Sequence, residues 1–138
     1  MKASLKELRQ AKRRLEDELE TSDDLMDLVD DFEIVANALV EIFMPKKAKR
    51  SYSLDKVLRG IAKAKQKSKP LLKRERISKN PLWKLARNVE NLIDDIRTAE
   101  YGGWELDDDD LISDANEIRE QVFDTLEDLL QEVRARAA

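Results

Sequence analysis

Two sets of residues in this chain have side chains suited to chemistry: carboxylates at helical spacing and a dense run of cations. Asp24, Asp27, Asp30, Asp31 and Glu33 recur along one stretch, and Glu90 and Asp94 stand four residues apart. Oxygen ligands of this kind suit Mg²⁺, and a carboxylate-held Mg²⁺ would hydrolyse a nucleotide. Helical spacing argues against that use. Asp24, Asp27 and Asp31 fall outside the seam formed by Leu25, Leu28 and Phe32, so they face water instead of converging inside a bundle. Asp107–Asp110 with Asp114 is a second acidic run. It lacks the alternating ligands and central Gly of a calcium loop, and acids ahead of a helix stabilise its N-terminus in any case. Neither a metal site nor a cofactor is expected.

The cations are more concentrated. Residues 46–88 carry sixteen Lys and Arg against only Asp55 and Glu75. Residues 1–45 hold six basic and twelve acidic side chains, and residues 89–138 hold four and sixteen. The formal net charge of −4 therefore hides a basic block between two acidic arms. Such a block tracks a phosphate backbone by releasing its counterions, and guanidinium groups add bidentate contacts. The residues read as polyanion-binding are Lys46, Lys47, Lys49, Arg50, Arg59, Lys63, Lys67, Arg74, Arg76 and Arg87. Nucleic acid is the first partner expected, although Tyr52 and Trp83 are the only aromatics interleaved, which is thin for base stacking. No helix-turn-helix punctuation, zinc finger or strand-borne aromatic pair accompanies them. The competing reading is a helical surface neutralised by the acidic arms, of the same chain or of a neighbour.

Composition narrows the remaining classes. The chain has no Cys and no His, which removes thiolate chemistry, disulfides, the commonest general base and the commonest transition-metal ligand. A non-enzymatic protein is expected. The N-terminus runs directly into charge and does not read as a signal peptide. Ile34–Val40, the longest uncharged apolar run of the acidic arms, is far short of the roughly 20 residues a membrane span requires. A cytoplasmic protein without membrane contact is the expectation.

The elements that must position these residues are helices. Charged residues make up 41% of 138 residues, with three Gly and three Pro, a balance typical of long helices. A chain of this length is one domain and buries roughly two-thirds of its unfolded surface. Leu5, Leu8, Leu15 and Leu19 predict a helix over 4–20 with one narrow stripe, a seam for a partner helix. Its basic residues precede its acids, the wrong order for the macrodipole. Either the helix continues or a basic group sits near 16–20. Thr21-Ser22-Asp23-Asp24 is a plausible cap cluster. Leu25, Leu28, Phe32, Val35, Leu39 and Ile42 predict a helix over 22–44, about 34 Å long, stopped by Pro45. A short basic helix follows from Leu54, capped by Ser53 and weakened at Gly60. Asn80-Pro81 opens a helix striped by Leu82, Leu85, Val89, Leu92, Ile96 and Ala99, with Gly102-Gly103 as a left-handed stop. The last helix, about 109–135, is striped by Leu111, Ala115, Ile118, Val122, Leu126, Leu129 and Val133.

The fold expected is an all-α bundle of four to five helices with coiled-coil-like seams, one domain over 1–138. Three long helices form the core, with the N-terminal and basic helices at its side. Its function is read as a binding or assembly module whose basic block engages a polyanion. The alternative is a scaffold subunit in which the basic block of one chain meets the acidic arm of the next. Leu25, Leu28, Phe32, Leu39 and Trp104 are the candidate protein contacts, for self-association or another helical protein.

Overall fold

The computed structural model describes residues 2–47, 52–67, 80–102 and 109–137. All regular elements among them are helical: α1 (Lys2–Arg14), α2 (Ser22–Phe43), a 3₁₀ turn (Pro45–Lys47), α3 (Leu54–Lys67), α4 (Pro81–Tyr101) and α5 (Asp109–Ala137). The expected all-α bundle is what forms.

Helix α2 is the hub, in contact with each of the other four helices. Its stripe of Leu25, Leu28, Phe32, Val35 and Leu39 is buried, because apolar residues at 3–4 spacing share one face. α1 lies antiparallel along it. At one end of the pair Ser4 donates its hydroxyl to Glu41, and at the other Arg14 meets Asp31 at 3.2 Å. The second closely packed pair is α3 with α4, and α5 closes the bundle against α4 and α2. α1 and α3 are full members of the core, not flanking pieces. Leu8, Ala11, Leu54, Val57, Leu58 and Ile61 are buried as deeply as the stripes of the longer helices.

Two expected helix ends differ. α1 stops at Arg14, not near residue 20, and residues 15–21 form an irregular connection. Lys12, Arg13 and Arg14 thus sit in the last turn, where the macrodipole favours them. The carbonyl of Leu15 accepts from the guanidinium of Arg119, on α5. A basic group does stand at this end of the helix, and it belongs to the same chain. The second difference is Gly102. It closes α4 in the right-handed region, at φ −77° and ψ −3°, and donates to the carbonyl of Thr98 at 3.1 Å. Gly103 lies outside the described residues.

The other ends follow the sequence. Asp24 accepts from the backbone N–H groups of Glu20 and Thr21 at 2.9 and 3.0 Å, closing the start of α2. Asn80 accepts from Leu82 N–H at 2.9 Å with Pro81 at the first helical position. Gly60 is where Met44 crosses α3. A Cβ there would stand 2.9 Å from the Met44 sulfur.

Candidate functional site

Two cations of the basic block, Arg59 and Lys63, meet α4 along its contact with α3. Leu54, Val57, Leu58 and Ile61 turn into the core and leave Lys56 and Lys63 on the exposed face of α3. Lys56, Arg59 and Lys63 stand at i, i+3 and i+7, so they share one side of the helix. On α4, Trp83, Arg87 and Glu90 stand at i, i+4 and i+7 and share a side in the same way.

Arg59 joins the two helices. One end of its guanidinium, Nη1, donates to Asp55 Oδ2 at 3.0 Å, one turn earlier on α3. The other end, Nη2, donates to Glu90 Oε2 at 2.6 Å across the helix pair. Its carbon centre lies 5.5 Å from the centre of the Trp83 ring, and the ammonium of Lys63 lies 5.6 Å from the same ring. Both distances are within cation–π range. Asp55 sits in the first turn of α3, where the helix dipole also favours an acid.

Lys84 and Arg87, next to and one turn beyond Trp83, are exposed. Among the described residues, Lys56, Lys63, Lys84 and Arg87 have no carboxylate within ion-pair distance. Arg59, Lys63 and Arg87, three of the residues read from the sequence as polyanion-binding, are thus brought to one seam. Lys46 is exposed on the 3₁₀ turn after α2, Lys47 belongs to the same turn, and Lys67 ends α3. Lys49, Arg50, Arg74, Arg76 and Trp104 lie outside the described residues.

Two members of this seam have roles that the sequence does not assign. Trp83, expected only as an aromatic interleaved with the cations, is half-buried beneath two of them. Glu90 reads as a partner for Asp94, yet it binds Arg59. The signal for Trp83 is its position one turn before Arg87. No local pattern links Glu90 to a residue 31 positions earlier.

The other candidates resolve differently. Leu25, Leu28, Phe32 and Leu39 lie in the core of the single chain, at most 2% exposed, so they are not a surface open to a partner. Of the carboxylates spaced as metal ligands along α2, Asp24 caps the helix and Asp31 pairs with Arg14. Among the described residues no group of three or more metal-ligating side chains is placed to hold an ion. A cavity of about 430 Å³ does open where the 15–19 connection faces α2, walled by Asp17, Asp27, Asp30, Asp31 and Arg119. Burial pushes the Asp31 carboxyl above its ordinary range despite the Arg14 partner, with Asp27 and Asp30 adding to the rise. Asp24 moves the opposite way, lowered by the two backbone N–H groups it accepts from. No helix among the described residues is long and apolar enough to cross a membrane.

Neither the known protein families nor the curated proteins nor the solved structures contain a match to this chain.

Proposed function

We propose that this protein is a non-enzymatic helical binding module whose cations on α3 and α4 engage a polyanion, nucleic acid before others. The observation that carries the reading is the seam at Trp83. Arg59 and Lys63 both lie over its ring, and Lys56, Lys63, Lys84 and Arg87 are exposed on these two helices without ion-pair partners among the described residues, while Asp55 and Glu90 are both bound to Arg59. Like charges carried on one pair of packed helices repel, and an external anion relieves that repulsion. Two helices presenting cations along one seam match a phosphate backbone better than a single small anion, because each phosphate neutralised releases another counterion. The aromatic ring among them offers contact area to sugar or base. This reading goes with a cytoplasmic protein.

The test is binding of a fluorescein-labelled 20-nucleotide single strand, followed by anisotropy across salt concentrations. Changing Lys56, Lys63, Lys84 and Arg87 together to Gln should abolish most of the affinity at about 0.1 M salt. The slope of log affinity against log salt should fall by about 0.7 for each phosphate no longer neutralised. Unchanged affinity in the quadruple variant would overturn the reading.

A second reading is a scaffold subunit in a homo-oligomer, held by basic seam to acidic helix. The carboxylates of α5 favour it. Asp114, Glu117, Glu120, Asp124 and Asp128 are exposed and have no ion-pair partner among the described residues. It requires a mass that grows with protein concentration and falls to monomer near 1 M salt, where screening acts over roughly 3 Å.

A further inference from the structure

We infer that Arg59 is the central phosphate contact of the Trp83 seam and that the Glu90 carboxylate occupies the place a phosphate takes; this rests on the polyanion reading above. The two carboxylates on Arg59 are not equivalent. Asp55 is 7% exposed as a residue, one turn away on the same helix, and has little room to leave. The Glu90 side chain is 46% exposed and reaches across from another helix. Asp55 therefore orients the guanidinium permanently, while Glu90 can swing into solvent by a change of rotamer.

What Glu90 leaves behind is a formed anion site. Nη2 of Arg59 keeps the place and direction it has toward Glu90, because Asp55 holds Nη1 and Trp83 lies 5.5 Å from the guanidinium carbon. The Lys63 ammonium shares the same ring at 5.6 Å. Arg87 stands three residues before Glu90 on the same side of α4. A phosphodiester placed where the carboxylate was would accept from Nη2 and lie among three cations. Carboxylate and phosphate oxygens use the same guanidinium geometry, so one replaces the other without rebuilding the site. Glu90 is then an internal competitor that sets the threshold for binding, and it discriminates against ligands carrying only one or two negative charges. A polyanion prevails because its other phosphates are already held by Lys56, Lys63 and Arg87, which share the sides of α3 and α4 that carry Arg59 and Glu90.

The experiment compares the unaltered protein with Glu90→Gln, Asp94→Asn, Arg59→Gln and the Arg59→Gln/Glu90→Gln pair. The probe is the same labelled single strand. Glu90→Gln should tighten binding roughly three- to tenfold at about 0.1 M salt and steepen the salt slope by about 0.7, the increment for one further phosphate neutralised. Asp94→Asn removes the same charge from an exposed position one turn further along α4, and should change neither the slope nor the affinity beyond a small general effect. On the Arg59→Gln background the gain from Glu90→Gln should vanish. Equal effects of Glu90→Gln and Asp94→Asn would overturn the inference and leave the polyanion reading standing. Absence of binding by both the unaltered protein and Glu90→Gln would overturn both.

Discussion

Asn116 binds Leu19 through both atoms of its side-chain amide. Its oxygen accepts from the Leu19 N–H at 2.7 Å, and its nitrogen donates to the Leu19 carbonyl at 3.1 Å. One side chain on α5 thus satisfies both backbone groups of a residue in the connection between α1 and α2. The same Asn116 oxygen also accepts from Arg119 Nε at 3.3 Å, and Arg119 in turn donates to the Leu15 carbonyl.

Asn116→Ala should therefore cost about 1–3 kcal/mol, since it leaves a donor and an acceptor of Leu19 without partners in a half-buried place. Arg119→Ala should cost at least as much, because it uncaps Leu15 and empties a site now filled by a residue only 7% exposed. The two changes should not add. Sharing the Asn116 oxygen predicts a coupling of about 0.5–3 kcal/mol in a double-mutant cycle. Urea unfolding of the four proteins measures it, and simple additivity would show that the two side chains act independently.

Asp24 and Asp31 should pull the pH dependence of stability in opposite directions. Asp24 is held below its ordinary value by the N–H groups of Glu20 and Thr21. Its contribution is present above the unfolded carboxylate value, near 4, and is lost as pH falls through its folded value. Asp31 is raised by burial. Its protonated form is favoured in the fold, so stability gained below the unfolded value is lost as pH rises through the folded one. At pH 7, Asp24→Asn should lower the melting temperature through a stability loss of about 0.5–1 kcal/mol, the size of a weakened cap. Asp31→Asn should raise it or leave it level. Both differences should close on acidification, the Asp31 difference at the higher pH. Melting curves from pH 7 to pH 3 would show it, and a drop for Asp31→Asn at pH 7 would mean the Arg14 pair outweighs the burial.

Trp83 should report directly on anything that enters its seam. The chain has two tryptophans, so Trp104→Phe leaves Trp83 as the single indole emitter. Addition of an oligonucleotide at about 0.1 M salt should quench or shift that emission, and about 1 M salt should restore it by screening. Binding seen by anisotropy with no change at Trp83 would move the contact to another part of the basic block.

The acidic C-terminal arm is also a structural part. Val122, Leu126 and Leu129 are at most 2% exposed. Leu126→Ala should cost about 2–5 kcal/mol in urea unfolding, and removal of residues 105–138 should abolish cooperative unfolding altogether. Raised polyanion affinity in such a truncation would report an unfolded, cationic chain. The Glu90→Gln substitution tests internal competition without that ambiguity.

Much of this architecture is legible in residue order because its determinants are local. The stripe from Leu25 to Ile42 with Pro45 behind it, and the Asn80-Pro81 start with its own stripe, each define a helix within a few turns. The Asp55–Arg59 pair is legible for the same reason, as an acid four residues before a base. The stop of α1 at Arg14 is hidden because part of what closes it, Arg119, comes from α5, 104 positions beyond Leu15. Arg119 itself looks like one more surface cation on a charged helix. Glu90 escapes a reading of the sequence because it lies just past the end of the basic block, and only the packing of α4 on α3 carries it in.

The distribution of contacts also orders the assembly of the chain in time. α1 with α2 and α3 with α4 are sequence neighbours, whereas α5 reaches the α1–α2 connection across 97 and 104 positions. Local pairs close quickly, and the long closure waits. The α1–α2 and α3–α4 pairs therefore form ahead of the docking of α5, which needs both the surface of α2 and α4 and the 15–21 connection in place before its own buried face is covered.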